Sequence, residues 1–348
     1  MDITIDKNLQ KLRASRGNTQ EDLAAFLCIS SQAVSKWERG ESIPDVALLP
    51  RIASYYDVTV DELLGVGEIR KQEKIEEYMI TSRKLNNQGF VKENLKLWRE
   101  AQREYPNDHK VLHKLMYALN LDDEKERNEI ITIAERLLRE STDQYYRGDA
   151  IQLLCFAYAN ADNYEKAREY AQMPASMYVS SEALLSHVLK GDELKNHCYC
   201  VLLEHLDLID STMLSLCNDK NYARYGELHE IYLKLMDVFF DDGFYGFYAC
   251  RAVRHHHSLA RINLWDEEKC RTHLEAAVKF AKQYDGLSGE YTYTSSLMNG
   301  YKDNMNNTSK NYIETQCGLL KKWLQDSHFD RVREKDWFKA VEASVSES

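Results

Sequence analysis

Proline and glycine are scarce in this chain, with four prolines and 14 glycines in 348 residues. A sheet-rich protein turns roughly every ten positions and uses these residues to do so, so their scarcity favours long helices. A continuous apolar run of about 18 residues is missing, and no transmembrane helix is expected. The opening stretch MDITIDKNLQ has neither the basic start nor the apolar segment of a signal peptide, so a cytoplasmic location is expected. A disulfide framework is missing too. Eight cysteines sit singly along helical-looking segments, except Cys198 and Cys200, and reduced core thiols are the expected state. His197 and His205 could join that pair around a metal, but a one-residue gap turns helical side chains about 200° apart, so no metal is expected there. His109 and His113 are spaced one helical turn apart without the glutamate of a zinc hydrolase, and read as a solvated face. His255, His256 and His257 are consecutive and point in different directions on a helix, which argues against a shared metal. Walker, HExxH and GxSxG motifs are absent. Neither an enzyme nor a bound cofactor is expected.

What is present is the balance of a globular protein: 44% hydrophobic and 29% charged residues, enough chain for about two domains. Over the first 65 residues apolar positions recur in short helical blocks: Leu9 and Leu12; Leu23, Ala24 and Leu27; Val34 and Trp37; Leu49, Ile52, Ala53 and Tyr56. Thr19, with a carboxylate three residues on at Asp22, can cap the second block. Ser30 or Ser31 can cap the third, Gly40 stands where that helix should stop, and Pro44 opens a turn into the fourth. The connection from Cys28 to Ser30 is as short as that of a helix-turn-helix.

The segment TQEDLAAFLCISSQAVSKWERGESIPDVALLPRIASYYDVTVDELL, Thr19 to Leu64, resembles the five-helix DNA-binding domain of the lambdoid repressor and Cro family, also called the xenobiotic-response-element family. The resemblance rests on the T-Q…L-A start, the S-x-x-x-V-S-x-W-E-x-G segment and the trailing P…L…I-A…V-x…D-E-L-L. It implies that Gln20 bonds a backbone phosphate and that Ser31, Gln32, Ser35 and Lys36 face base edges in the major groove of double-stranded operator DNA. Arg39 and the Ser30 hydroxyl would contact the backbone. Those residue types suit the task. A glutamine can engage adenine with an acceptor and a donor, and a lysine can reach guanine O6 and N7. Taken singly, Gln32 would be one more solvated side chain; the surrounding pattern assigns it to a base. The same resemblance gives Arg13 and Glu38 a structural link between the first and third helices and turns Val34 and Trp37 inward. Cys28 occupies a turn position often filled by glycine, where a left-handed conformation costs on the order of 1 kcal/mol.

Charge stands against this reading at first sight, because the chain carries a formal −11. Residues 1–65 hold seven Lys and Arg against ten Asp and Glu, a net of −3. Lys11, Arg13, Arg16, Lys36 and Arg39 fall on the first and third helices, whereas Asp57, Asp61 and Glu62 lie at the far end. The docking face can therefore still be positive. Few interfacial cations imply a shallow salt dependence, and a homodimer on two half-sites about 34 Å apart is the expected remedy for weak single-domain binding.

GVGEIRKQEKIEE, from Gly65, lacks the third glycine and the preceding strand of a nucleotide fingerprint, and reads as a helix stop and linker. Beyond it GFVKENLKLWREAQREYPND, LLCFAYANADNYEKAREYA and WDEEKCRTHLEAAVKFAKQYD resemble parts of tetratricopeptide repeats, with Ala101, Ala157, Tyr158, Tyr164 and Ala167 at the small and aromatic positions. Their starts at Phe90, Tyr164 and Trp265 lie 74 and 101 residues apart, close to two and three units of about 35. Small residues would let helices approach and aromatics would fill the gaps between repeats. Roughly seven or eight helix pairs are expected, with a fading signature between Tyr178 and Phe247 and a capping helix at the end. The expected fold is all-α. A five-helix helix-turn-helix head spans 1–66, a linker that runs into helix spans 67–75, and a tetratricopeptide-like α-solenoid spans 76–348. This arrangement resembles the cytoplasmic peptide-sensing regulators of Gram-positive bacteria, which implies a transcriptional regulator whose repeats bind a short peptide and form the dimer. Asn160, Asn163 and the asparagines after Asn299 are available to clamp a peptide backbone, though no ligand residue is assigned. The rival expectation is an interaction scaffold whose repeats bind a partner protein and whose head tethers it to DNA.

Overall fold

A computed structural model of the chain describes residues 5–218 and 224–346. Met1–Thr4, which begin the amino-terminal stretch read above, and residues 219–223, inside the segment of fading repeat signature, lie outside the described residues. Among the described residues the fold is all-α apart from a single two-stranded hairpin, and no helix is long and apolar enough to cross a membrane. Two units are distinguished: Met1–Ser82 with Glu100–Pro106, and Arg83–Arg99 with Asn107–Ser348.

The head is built from α1 (Ile5–Ser15), α2 (Gln20–Leu27), α3 (Ser31–Glu38), α4 (Leu49–Tyr56) and α5 (Val60–Leu64). Each helix is short, and isolated helices of this length are marginal in water, so their shared core must hold them. Every helix contributes at least one side chain without exposed surface: Leu9, Leu23, Val34, Ile52 with Tyr56, and Leu63. Each such burial stabilises by about 1.5–3 kcal/mol. Local chemistry fixes the ends. Thr19 and Asp22 cap α2 reciprocally, and Thr59 and Glu62 repeat that motif at α5. The carboxylates of Asp22 and Glu62 are held below their usual pKa by bonds from the backbone and hydroxyl of their threonines.

Gly65 ends α5 in a left-handed turn, and α6 (Val66–Asn87) begins at the next residue, so residues 67–75 are helical. The chain continues through α7 (Val91–Glu104), α8 (His109–Ala118), α9 (Glu124–Glu140), α10 (Gln144–Asn160), α11 (Tyr164–Ala171) and α12 (Ser181–Leu185). It goes on through α13 (Gly191–Cys217), α14 (Tyr225–Phe239), α15 (Ala249–Ile262) and α16 (Glu267–Asp285) to the hairpin β1 (Glu290–Thr292) and β2 (Lys302–Asn304). The strands are antiparallel, with Tyr291 opposite Asp303. Two helices follow, α17 (Gln316–Leu324) and α18 (Asp336–Ser346).

Within the second unit helices pack on their sequence neighbours, α8 on α9, α9 on α10, α10 on α11, and α13 through α18 in the same manner, which makes the region helical and repeat-like. Ala252, Ala260, Ala277 and Ala281 are fully buried on α15 and α16, and a shared face of small side chains lets two backbones approach. Gly89 shows why one corner cannot carry a side chain. Its φ is +75°, and a Cβ there would lie 2.0 Å from the carbonyl oxygen of Tyr312.

Two expectations are corrected. His113 is not on a solvated face: it is fully buried, its Nε2 lies 2.7 Å from Asp149 Oδ2, and rings of Tyr117, Tyr145 and Tyr146 surround it. A tertiary partner 36 residues away decides its environment, which helical spacing alone does not show. Tyr164 and Trp265 fill no gap between repeats. They are 63% and 81% exposed, and Trp265 lies under the Arg331 guanidinium, 3.5 Å from the ring centre. Asn163 acts locally as the cap of α11, and Asn304 accepts a bond from the Asn306 backbone after β2.

Candidate nucleic-acid interface

The connection between α2 and α3 takes its shape from two local features. Cys28 ends α2 with φ 61° and ψ 44°, its backbone N–H donating to the Ala24 and Ala25 carbonyls. A non-glycine residue adopts this conformation at a cost on the order of 1 kcal/mol, which the buried head core offsets. Ser30 then caps α3, its hydroxyl accepting from the Ala33 N–H at 3.3 Å. This hydroxyl, expected on a phosphate, holds the start of the helix.

The eight residues of α3 divide by face. Val34 has no exposed surface, and Trp37 and Glu38 are buried. Gln32 and Lys36, one turn apart, are exposed, and Ser31 and Ser35 flank them half-buried. The side chain of Gln32 has no hydrogen-bond partner among the described residues.

Glu38 is the centre of the scaffold behind that face. Arg13 donates to both of its oxygens, from Nε to Oε1 at 2.6 Å and from Nη2 to Oε2 at 3.0 Å. Gln20 Nε2 donates to Oε2 at 2.8 Å. Arg13 Nη1 also donates to the Asn18 carbonyl, so one guanidinium ties α1 to α3 and to the turn before α2. Burial alone would raise the Glu38 pKa. The bonds from Arg13 and Gln20 and the arginine charge outweigh it and hold the carboxylate below its usual value. The reciprocal bond raises Arg13 above its usual value. Such a two-toothed, largely buried pair fixes the angle of α3 against α1.

Arg39, just past α3, donates from Nε to Glu41 Oε1 at 2.6 Å and from Nη1 to the Ser35 hydroxyl at 2.6 Å. Gln20 and Arg39, both expected on phosphates, are thus engaged within the head, and Ser35 is joined to Arg39. Arg16, on the face expected to be positive, donates to the Tyr56 carbonyl. The Gln20–Glu38 and Arg39–Glu41 bonds were not foreseen. The acid two residues after Arg39 was a visible signal for the second; for the first, sequence offers only the resemblance that tied Glu38 to Arg13.

Residues 9–63 match the family model described as helix-turn-helix. Over 67 residues, 19% of this chain and 33% of the relative, the sequence is 42% identical to the HTH-type transcriptional activator BcrR of Enterococcus faecalis. Over 70 residues, 20% of this chain and 55% of the relative, it is 33% identical to the HTH-type transcriptional regulator ImmR of Bacillus subtilis (strain 168). A third similarity, 36% over 58 residues, is to the SPbeta prophage-derived uncharacterized HTH-type transcriptional regulator YonR of Bacillus subtilis (strain 168), covering 17% of this chain and 54% of that protein. The chain spans a third of the first relative and about half of the other two. No solved structure matches it. Its head is a helix-turn-helix domain, homologous over that length to HTH-type transcriptional regulators.

Proposed function

We propose that the chain is a sequence-specific DNA-binding transcriptional regulator whose helix α3 enters the major groove. The carrying observation is the division of that helix. Gln32 and Lys36 stand outward one turn apart, while Val34, Trp37 and Glu38 anchor the opposite side. A rigid helix with an outward amide and ammonium has the donors and acceptor needed to read purine edges. Ser31 and Ser35 extend this face, and Gln20, Ser30 and Arg39 set its register on the phosphates. Arg13 and Glu38 hold it in place.

The head carries few cations, so two copies on a two-half-site operator supply the affinity that one cannot. In this reading the helical repeat-like region, of tetratricopeptide type, joins the copies and senses a ligand such as a short peptide, and the protein acts without a cofactor in the cytoplasm. Fluorescence-anisotropy titration of the full chain on its own promoter tests the core of the proposal. Gln32→Ala should cost roughly 1–3 kcal/mol and relax selectivity at one base pair. Equal affinity and unchanged selectivity would remove α3 as the reader.

A further inference from the structure

The second unit contains a cavity of about 420 Å³ between α13, α14, α15 and the turn after α17. Arg254, Arg261, His229, His328 and Ser258 line it beside Leu214 and Ile262, and among the described residues no carboxylate lines it. That volume is within the usual range of small-molecule sites, roughly 300–1,000 Å³.

The polar wall is only partly satisfied. Arg254 Nη2 donates to Asp210 Oδ2 at 2.5 Å, whereas its Nε is buried and has no partner among the described residues. Asp210 is shared, since His255 Nε2 lies 2.8 Å from its other oxygen and Arg251 Nε lies 3.7 Å from Oδ2. Arg261 makes no ion pair with a carboxylate among the described residues and contacts the imidazole of His328 at 3.2 Å. His328 in turn leans on Asp326.

The histidines fix a further polarity. Asp210 accepts from His255 Nε2–H, so the neutral His255 ring offers Nδ1 as an acceptor, and His229 Nδ1–H donates to it at 2.8 Å. His229 is left with Nε2 as an acceptor. Burial, then the neighbouring His255 and Arg254, lower His229 to about 4, so it is neutral near pH 7. His229 therefore adds no positive charge to the cavity, the guanidiniums do, and Leu214 and Ile262 give it an apolar side.

We propose that this cavity binds a small organic anion, a carboxylate or phosphate ester on an apolar body, whose oxygens bridge Arg254 and Arg261. The planar guanidiniums that line the cavity match a carboxylate or phosphate oxygen in geometry as well as charge. The site deepens the reading of this region as a sensor, but its binding chemistry is independent of DNA.

Isothermal titration of the full chain with hexanoate, phenyl phosphate, and a short apolar peptide bearing a free or an amidated carboxyl terminus tests it. At least one anionic probe should bind. Arg261→Ala, at the exposed rim, should weaken that probe about tenfold. Arg254→Lys, which keeps an ion pair with Asp210 but removes the planar fork, should do likewise, with circular dichroism checking that the fold is retained. Binding of the free-acid peptide and not its amide assigns the carboxylate to a peptide end; binding of hexanoate or phenyl phosphate in its place assigns it to a small metabolite. Heat from no anionic probe, or an unchanged affinity in Arg261→Ala, overturns the proposal. Operator affinity measured with and without the bound probe is a separate readout: if it does not move, the sensor reading fails and the site stands.

Discussion

Glu38 in the head and Asp210 in the second unit are both buried carboxylates held by arginine and a second donor, yet they serve their surroundings differently. Glu38 receives three bonds from two side chains, and Arg13 also donates to the Asn18 carbonyl. Asp210 gathers Arg254, Arg251 and His255, and behind them the network remains open: Arg254 Nε has no partner among the described residues, and Arg254 lines the cavity. For both carboxylates burial alone would raise the pKa, and the neighbouring donors and charges reverse that and lower it. A closed network of this kind behaves as a brace, whereas one with a donor left over leaves room for chemistry from outside.

Acid should separate the two regions most strongly. The head contains no histidine; all 11 lie from His109 onward. Burial is the leading cause that lowers His113, His255 and His273, and it takes His229 and His257 to about 4 and His256 to about 3. The unfolded chain takes up protons near the ordinary histidine value of 6.5 that the folded chain refuses. The stability these residues contribute is thus full above about 6.5 and is lost as pH falls toward about 4. The carboxylates Glu38, Asp22 and Glu62 are lowered from 4.5, 3.8 and 4.5, so the head loses their contribution only at lower pH. Amide hydrogen exchange with peptide mapping at about pH 5 should show loss of protection in α14 and α15 while α1 to α5 remain protected. Simultaneous loss would dissolve the contrast.

Truncation tests the same pair of carboxylates individually. Asp210→Ala leaves the Arg254 guanidinium and a buried imidazole without their acceptor, while Arg251 keeps Asp207, and urea unfolding should register a loss of about 3–5 kcal/mol. Glu38→Ala strands a single arginine that keeps its bond to Asn18, and about 2–3 kcal/mol is expected. A larger loss for Glu38 than for Asp210 would reverse the ranking. The smallest effect lies at the turn. Cys28→Gly should raise the stability of the head by about 1 kcal/mol, seen as a later thermal transition, because glycine takes the left-handed conformation without a Cβ penalty.

The head was legible because its determinants are local. Caps at Thr19 and Ser30, the apolar spacing of Leu9, Leu23, Val34 and Ile52, and the short Cys28–Ser30 connection all act within a few residues. The second unit was legible only in class. Its defining contacts join residues far apart in sequence, such as Asp210 with Arg254 and His255, or His113 with Asp149, and no periodicity encodes them. The β1–β2 hairpin was missed because six strand residues amid helices give little alternation to read. Exposure of Tyr164 and Trp265 was missed for the same physical reason: an aromatic at a repeat position packs only if a neighbouring helix comes to meet it.

The Arg39–Glu41 pair has a consequence for the proposed encounter with DNA. Glu41 is a counterion tethered to the chain. When Arg39 moves from Glu41 to a phosphate, the DNA sheds a small cation, but the protein gives up no anion to the solution and exposes a carboxylate close to a polyanion. The exchange is partly self-cancelling, so Arg39 should add less than the ordinary increment of about 0.9 per phosphate contact to the salt slope. Glu41→Gln should tighten binding and steepen that slope together, a signature distinct from the loss of any direct contact.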